Sequence, residues 1–268
     1  MLIAMTRALS PAFERCELTH VERQPIDLDR AREQHREYER ILQECGCRLE
    51  RLPAEPSLPD SVFVEDAAVV LDEMAVITRP GAVSRRGETT SVARALERYR
   101  RLTAIEAPGV LDGGDVLVID RRIYVGRSSR TNAEGIEQMR ELVSPAGYSV
   151  TAVSFEGCLH LKSAATCVGA GRVLVNPSWV SAEVFDGLEV FSVDPAEAAA
   201  ANALAVGARV VIASQYPRTA AWLRVAGLQV EEVDVSELIK AEAGVTCCSL
   251  LFRGPSKPEN ERDRAHTR

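Results

Sequence analysis

The sequence predicts an α/β fold in which five ββαβ units stand around an axis with pseudo-fivefold symmetry, and three observations carry it. Short, β-rich apolar runs recur along the 268 residues, each followed by a turn and then usually by a helical stretch. The repeats contain hairpins rather than lone strands joined by helical crossovers, and no glycine-rich phosphate loop opens a helix. The last apolar run, residues 246–252 (TCCSLLF), suits pairing with residues 2–6 (LIAMT), which closes the array and removes its open edges. An open α/β sandwich is the plain alternative for any chain that alternates strands and helices. The hairpins and the matching ends favour the ring.

The first clear unit is residues 65–86, EDAAVVLDEMAVITRPGAVSRR: a strand, an acidic turn at Asp72 and Glu73, a second strand, then a turn leading into a helix. The second begins at residue 113, GGDVLVIDRRIYVGRSSRTNAEGIEQM, with its turn at 120–122 and a helix from about Asn132. Residues 165–176 and 203–213 are weaker copies, each a hairpin turning on glycine. Further strands are expected at 150–154 and 229–235, and helices at 28–45, 88–100, 132–143, 195–202 and 217–225. Gly113-Gly114-Asp115 precedes a strand instead of following one, which makes it a poor nucleotide-binding loop. Residues 1–253 are read as one propeller domain. Residues 254–268, GPSKPENERDRAHTR, have almost no apolar side chain to add to a core and are expected to be a disordered tail.

Composition narrows the function. At 46% hydrophobic residues the chain can bury a substantial core. A net charge of -7 argues against nucleic acid or an anionic membrane as partner, because both need a basic face, and points to a small cationic molecule. The start, MLIAMTRALS, lacks a basic leader and an apolar run of spanning length, so a cytoplasmic protein is expected. Seven cysteines, an odd number in a chain too large to need disulfide staples, agree with a reducing compartment. Cys45-Gly46-Cys47 and Cys247-Cys248 lack zinc-site spacing, and with four histidines in the chain no metal and no organic cofactor is expected.

Polar residues that are unwelcome near buried strands gather just before the first strand of successive units: Glu65 and Asp66, Asp112, His160 and Cys247. In a ring, equivalent positions converge on the axis. A thiol, an imidazole and carboxylates meeting there are the parts of a hydrolytic site, with Cys247 as nucleophile, His160 as acid and base beside it, and Asp112 supporting the pair. Asp60, Glu65 and Asp66 would hold a cation such as a guanidinium, and Arg85 and Arg130 could grip a carboxylate. Taken singly, each has a duller reading. Cys247 could be a buried structural thiol, His160 a core histidine and Asp112 a turn acid, while Arg85 and Arg86 could be a solvated pair. The shared position in the repeat raises them together.

Six stretches in order resemble the dimethylarginine dimethylaminohydrolases of the guanidino-group-modifying superfamily. They are residues 58–66 (LPDSVFVED), 77–86 (ITRPGAVSRR), 111–115 (LDGGD), 130–132 (RTN), 159–163 (LHLKS) and 246–249 (TCCS), within a likeness that runs from Thr6 to about Phe252. The resemblance implies the five-bladed α/β propeller (pentein) fold. It implies Cys247 as nucleophile, His160 as acid-base residue and Asp112 as supporting carboxylate. It places guanidinium-binding acids at Asp60, Glu65 and Asp66, arginines facing the amino-acid end at Arg85 and Arg130, and Leu18 on a mobile loop over the pocket. The implied reaction converts a methylated arginine to citrulline, without cofactor and compatibly with a homodimer. Arginine deiminases typically carry an aspartate two residues after the histidine, whereas this chain has Lys162, which favours an N-methylated substrate. The family's Asp-Gly before the cysteine is replaced by Glu242-Ala243-Gly244. A noncatalytic propeller like the ribosome anti-association factors would have no reason to gather these groups at the axis.

Overall fold

The computed structural model describes residues 1–254. The chain opens with β1 (Leu2–Arg7), α1 (Leu28–Glu44) and β2 (Arg48–Leu52). Three complete units follow: β3 (Ala68–Val70), β4 (Met74–Ile77), α2 (Thr89–Leu96) and β5 (Arg101–Ala104); β6 (Val116–Ile119), β7 (Arg122–Arg127), α3 (Ala133–Val143) and β8 (Ser149–Ser154); α4 (Leu161–Ala164), β9 (Ala165–Gly169), β10 (Arg172–Val175) and β11 (Glu189–Ser192). A fourth is β12 (Ala203–Val206), β13 (Arg209–Ala213), α5 (Pro217–Val225) and β14 (Gln229–Val233), and the chain ends with α6 (Ser236–Ile239) and β15 (Leu250–Arg253).

These strands form five three-stranded sheets. In each, the first two strands pair antiparallel and the third returns parallel to the second, as β3, β4 and β5 do. The fifth sheet is shared by both ends of the chain: β15 lies antiparallel to β1, Leu2 opposite Arg253 and Met5 opposite Leu250, and β2 runs parallel to β1. The expected closing pair is therefore present. Its strand is shorter than 246–252 because Thr246 to Ser249 turn, with the Thr246 N–H bonded to the Asn202 side chain.

Burial follows position in the sheet. Inner and middle strands such as β1, β4 and β10 are nearly continuous apolar runs buried on both faces, while the third strands β2, β5 and β11 carry exposed charged and polar residues on the outer edge. The five first strands line a central cavity of about 310 Å³, through Ala68, Val116, Thr166, Ala203 and Leu250 among others. Helices cover the outside. On α1, Asp27 caps the first turn by accepting the Asp29 and Arg30 N–H groups, and Ala31, His35, Tyr38 and Leu42 fall on the buried face at helical spacing. Each fully buried large apolar side chain of this kind contributes about 1.5–3 kcal/mol.

The helix expected at 195–202 is a correction. That segment is a single 3-10 turn, Ala198–Ala201, because Asn202 is drawn into bonds with Lys162 and Thr246 across the axis. Comparable turns precede the other first strands at Val64–Ala67, Gly113–Asp115 and Leu161–Ala164, so the segment is the fourth copy of one device. The expected helix at 88–100 stops at Leu96, where the Tyr99 and Arg100 N–H groups both return to the Leu96 carbonyl. No helix among the described residues is long and apolar enough to cross a membrane. Gly254, where the polar tail was expected to begin, donates its N–H to the Met1 carbonyl, and residues 255–268 lie outside the described residues.

Candidate active site

The pre-strand turns bring Asp66, His160 and Cys247 to one small cavity of about 20 Å³, walled also by Asp60, Arg85, Arg130, Glu17 and Glu242. Asp112 is buried directly behind it. Its Oδ2 lies 3.0 Å from His160 Nε2, and its Oδ1 accepts the Gly81 N–H at 2.9 Å. Asp66 Oδ1 lies 3.8 Å from His160 Nδ1, so a carboxylate faces each ring nitrogen. Gly114 makes this approach feasible: a Cβ there would stand 2.5 Å from His160 Nδ1 and 2.7 Å from Asp66 Oδ1.

The charges follow from these contacts. Burial lowers the His160 pKa, but Asp66, the Asp112 hydrogen bond and Asp115 outweigh it and raise the imidazole to about 9. His160 is an imidazolium at neutral pH. Burial pushes Asp66 up, yet His160 and Arg85 hold it well below the usual carboxylate range. Cys247 is pushed up to about 12, chiefly by burial and then by the Glu65 and Asp66 charges. These shifts favour a neutral thiol at Cys247 and a charged imidazole at His160 at neutral pH. No hydrogen bond joins the two: the thiol's hydrogen-bond partners are the Gly244 N–H at 3.4 Å and Thr246 Oγ1 at 4.0 Å.

The other expected binding residues divide. Arg85 Nη1 reaches Asp66 at 2.7 Å, and its Nε and Nη2 fork onto Glu88 at 3.1 and 2.8 Å, so its donors are engaged by the protein's own acids. Arg130 donates through Nη2 to Thr19 Oγ1, while its buried Nη1 has no hydrogen-bond partner and lies 4.0 Å from Asp112. Asp60 accepts the Glu17 N–H with both carboxylate oxygens. Glu65 does not line this cavity. It sits on the axial side, 2.5 Å from Lys162 Nζ, and accepts from Thr246 Oγ1, which Asn202 supports in turn. Asp66, Asp112 and His160 offer ligand atoms within 4.8 Å of one another, a grouping that among the described residues could hold a metal. Arg85 and Arg130 beside those carboxylates oppose a further cation.

Residues 17–25 run past the mouth-side residues Asp60, Arg130 and Glu242, with Glu17 on the cavity wall. Leu18 is half-buried and packs against the core cluster that also touches Cys247. The Thr19, His20 and Val21 N–H groups all point at the Glu242 carboxylate. The sequence reading missed Glu242 as a tether, and it missed Asn202, which occupies the pre-strand position of the fourth unit. Laying that unit on the others would have exposed Asn202.

Residues 18–248 match the family model described as "N,N dimethylarginine dimethylhydrolase, eukaryotic". A dimethylarginine dimethylaminohydrolase of Streptomyces coelicolor is 41% identical over 251 residues, covering 93% of this chain and 96% of its own. The enzyme of the same name from Pseudomonas aeruginosa is 39% identical over 228 residues, covering 84% and 90%. A solved structure of the Pseudomonas aeruginosa enzyme, a cysteine-to-serine mutant complexed with citrulline, superposes with a TM-score of 0.89 at 36% identity over 93% of this chain and 98% of its own. The chain belongs to the dimethylarginine dimethylaminohydrolase family, in the pentein superfamily.

Proposed function

We propose that the protein hydrolyses Nω-methylated L-arginine, the asymmetric dimethyl and monomethyl forms, to L-citrulline and dimethylamine or methylamine. The observation that carries this reading is that Cys247 and His160 face one small cavity among buried acids, with an unpaired Arg130 donor at its wall. The Arg130 Nη1 donor suits the substrate carboxylate, and Arg85 braces Asp66 while lining the same space. Asp60 and Asp66 supply negative charge for the guanidinium, with Glu65 behind them, and Leu18 travels with the covering loop. Lys162 compensates Glu65 and supplies no second acceptor for unsubstituted nitrogens, which supports an N-methylated end.

Chemistry follows from the resting charges. A guanidinium entering beside Cys247 brings the positive charge that the thiol lacks, so its proton leaves to solvent and the thiolate forms as substrate binds. The sulfur attacks the central guanidinium carbon and forms a C–S bond. His160 gives its proton to the methylated nitrogen, the C–N bond breaks, and neutral amine departs from a cationic thiouronium. The now neutral His160 takes a proton from water as its oxygen bonds to the same carbon. Loss of the remaining hydroxyl proton and cleavage of the C–S bond release citrulline and the thiolate. Asp112 and Asp66 stabilise the charged form of His160 in the first half of the cycle.

Citrulline release from asymmetric dimethylarginine, monomethylarginine and arginine, assayed side by side with Cys247→Ser as control, tests this. Faster turnover of the methylated substrates and a dead variant are expected. Preference for arginine would make the protein a deiminase, and no turnover of any of the three by folded protein would overturn the reading.

A further inference from the structure

Asp115 is fully buried and does not line the cavity, yet its carboxylate connects three of the residues that do the work. Its Oδ1 accepts the N–H of Leu161, the residue after His160, at 3.0 Å. Its Oδ2 accepts from Ser128 Oγ at 2.6 Å and from Thr131 Oγ1 at 2.7 Å. Each hydroxyl passes the restraint on: Ser128 Oγ accepts the Arg130 N–H at 2.9 Å, and Thr131 Oγ1 accepts the Asp112 N–H at 3.2 Å. Every arm ends at the backbone of a site residue or its neighbour.

We propose that Asp115 is the positioning residue of this site, the one carboxylate that holds His160, Asp112 and Arg130 in a common frame. The inference rests on the proposed function for what those three do. An amide cannot replace the acid. Both hydroxyls already accept a backbone N–H, so their own protons need an oxygen, and Leu161 needs a second one. Whichever way an asparagine turned, at least one buried donor would lose its acceptor. The Asp115 charge also favours the His160 imidazolium, in addition to those of Asp66, which Arg85 pairs, and Asp112, near which Arg130 lies.

The test is Asp115→Asn, with Ser128→Ala and Thr131→Val as single-arm variants. For Asp115→Asn, kcat on dimethylarginine should fall about tenfold or more through loosened geometry, and KM should rise. The imidazole titration of His160, followed by proton NMR and assigned against His160→Gln, should move to lower pH by about half a unit or more. A carboxylate electrostatically remote from the imidazole would not move that titration, the charge-preserving Ser128→Ala and Thr131→Val variants separate positioning from loss of charge, and the measurement needs no turnover. An inactive wild type would therefore sink the proposed function alone. An unmoved His160 titration with kcat within about twofold of wild type would overturn the role of Asp115. Should Asp115→Asn fail to fold, the arms decide. Ser128→Ala should raise KM more than it lowers kcat, and Thr131→Val should lower kcat more than it raises KM. The same modest change in both would overturn the proposal.

Discussion

The pre-strand turns that carry the reacting groups and the 17–25 loop that runs past them differ in what holds them. The turns place charged groups where water cannot compensate them, so every carboxylate there has named partners: Asp66 with Arg85 and Gly114, Asp112 with Gly81 and His160, Glu65 with Lys162 and Thr246. The loop has no regular secondary structure and, apart from Leu18, is exposed through residues 17–25. Its tethers are individual hydrogen bonds: three N–H groups on Glu242 and Lys240 on the Pro25 carbonyl lie at the surface, while the Glu17 N–H on Asp60 and Arg130 on Thr19 join exposed loop groups to buried side chains. Bonds to exposed partners are replaced by water at little net cost, about 0.5–1.5 kcal/mol each, whereas an orphaned buried charge costs several. The turns are thus fit to stay fixed and the loop to open, which a 20 Å³ cavity requires before an amino acid can enter.

The sharpest way to break this contrast is at His160. With His160→Gln, turnover should fall by about three orders of magnitude or more, since acid, base and nucleophile act as a unit. Wild-type activity should decline as pH passes about 9, where the imidazolium is lost. The same residue links to stability. Because its folded pKa is raised above the ordinary value, its contribution is fully present below about pH 6.5 and lost as pH rises through about 9. Thermal melts of wild type and His160→Gln should accordingly converge over that window; a constant gap would show that His160 is not the charged group described.

Gly114→Ala probes the turns with a single methyl. The added carbon meets both the imidazole and the Asp66 carboxylate, so they must separate. A loss of about 1–3 kcal/mol in denaturant melts and a drop of about a hundredfold in kcat/KM are expected. Unchanged kinetics would mean that the close Asp66 and His160 approach does not matter.

The smallest effect belongs to the loop. Glu242→Ala removes three tethers at once, and KM should rise about three- to tenfold with stability altered by less than about 1 kcal/mol. A loss of stability as large as that of Gly114→Ala would erase the distinction between turns and loop.

Much of the site was legible in the chain because the repeat puts functional residues at one register. Asp66, Asp112, His160 and Cys247 stand before first strands, and that regularity survives in the sequence. The state of each group was not legible. Nothing in the spacing of Arg85 tells that Asp66 and Glu88 engage it while Arg130 keeps a free donor, because both partners arrive through packing. Asp115 was legible only as the residue that leads into a strand, since its three donors lie 13 to 46 residues away.

By itself the sequence determined the periodicity, and with it five hairpin-bearing units, a closing pair between the chain ends and a common address for the proposed nucleophile and its proposed acid-base partner. These follow from local patterning, which alternation, turn residues and apolar runs encode over a few residues at a time. Tertiary structure alone decided which carboxylates meet which cations, the thiol and imidazolium resting state, and the separation of Glu65 from the reacting cavity. Those depend on distances between groups far apart in the chain and on the water excluded around them, and a charge's energy is set by that surrounding rather than by its neighbours in sequence.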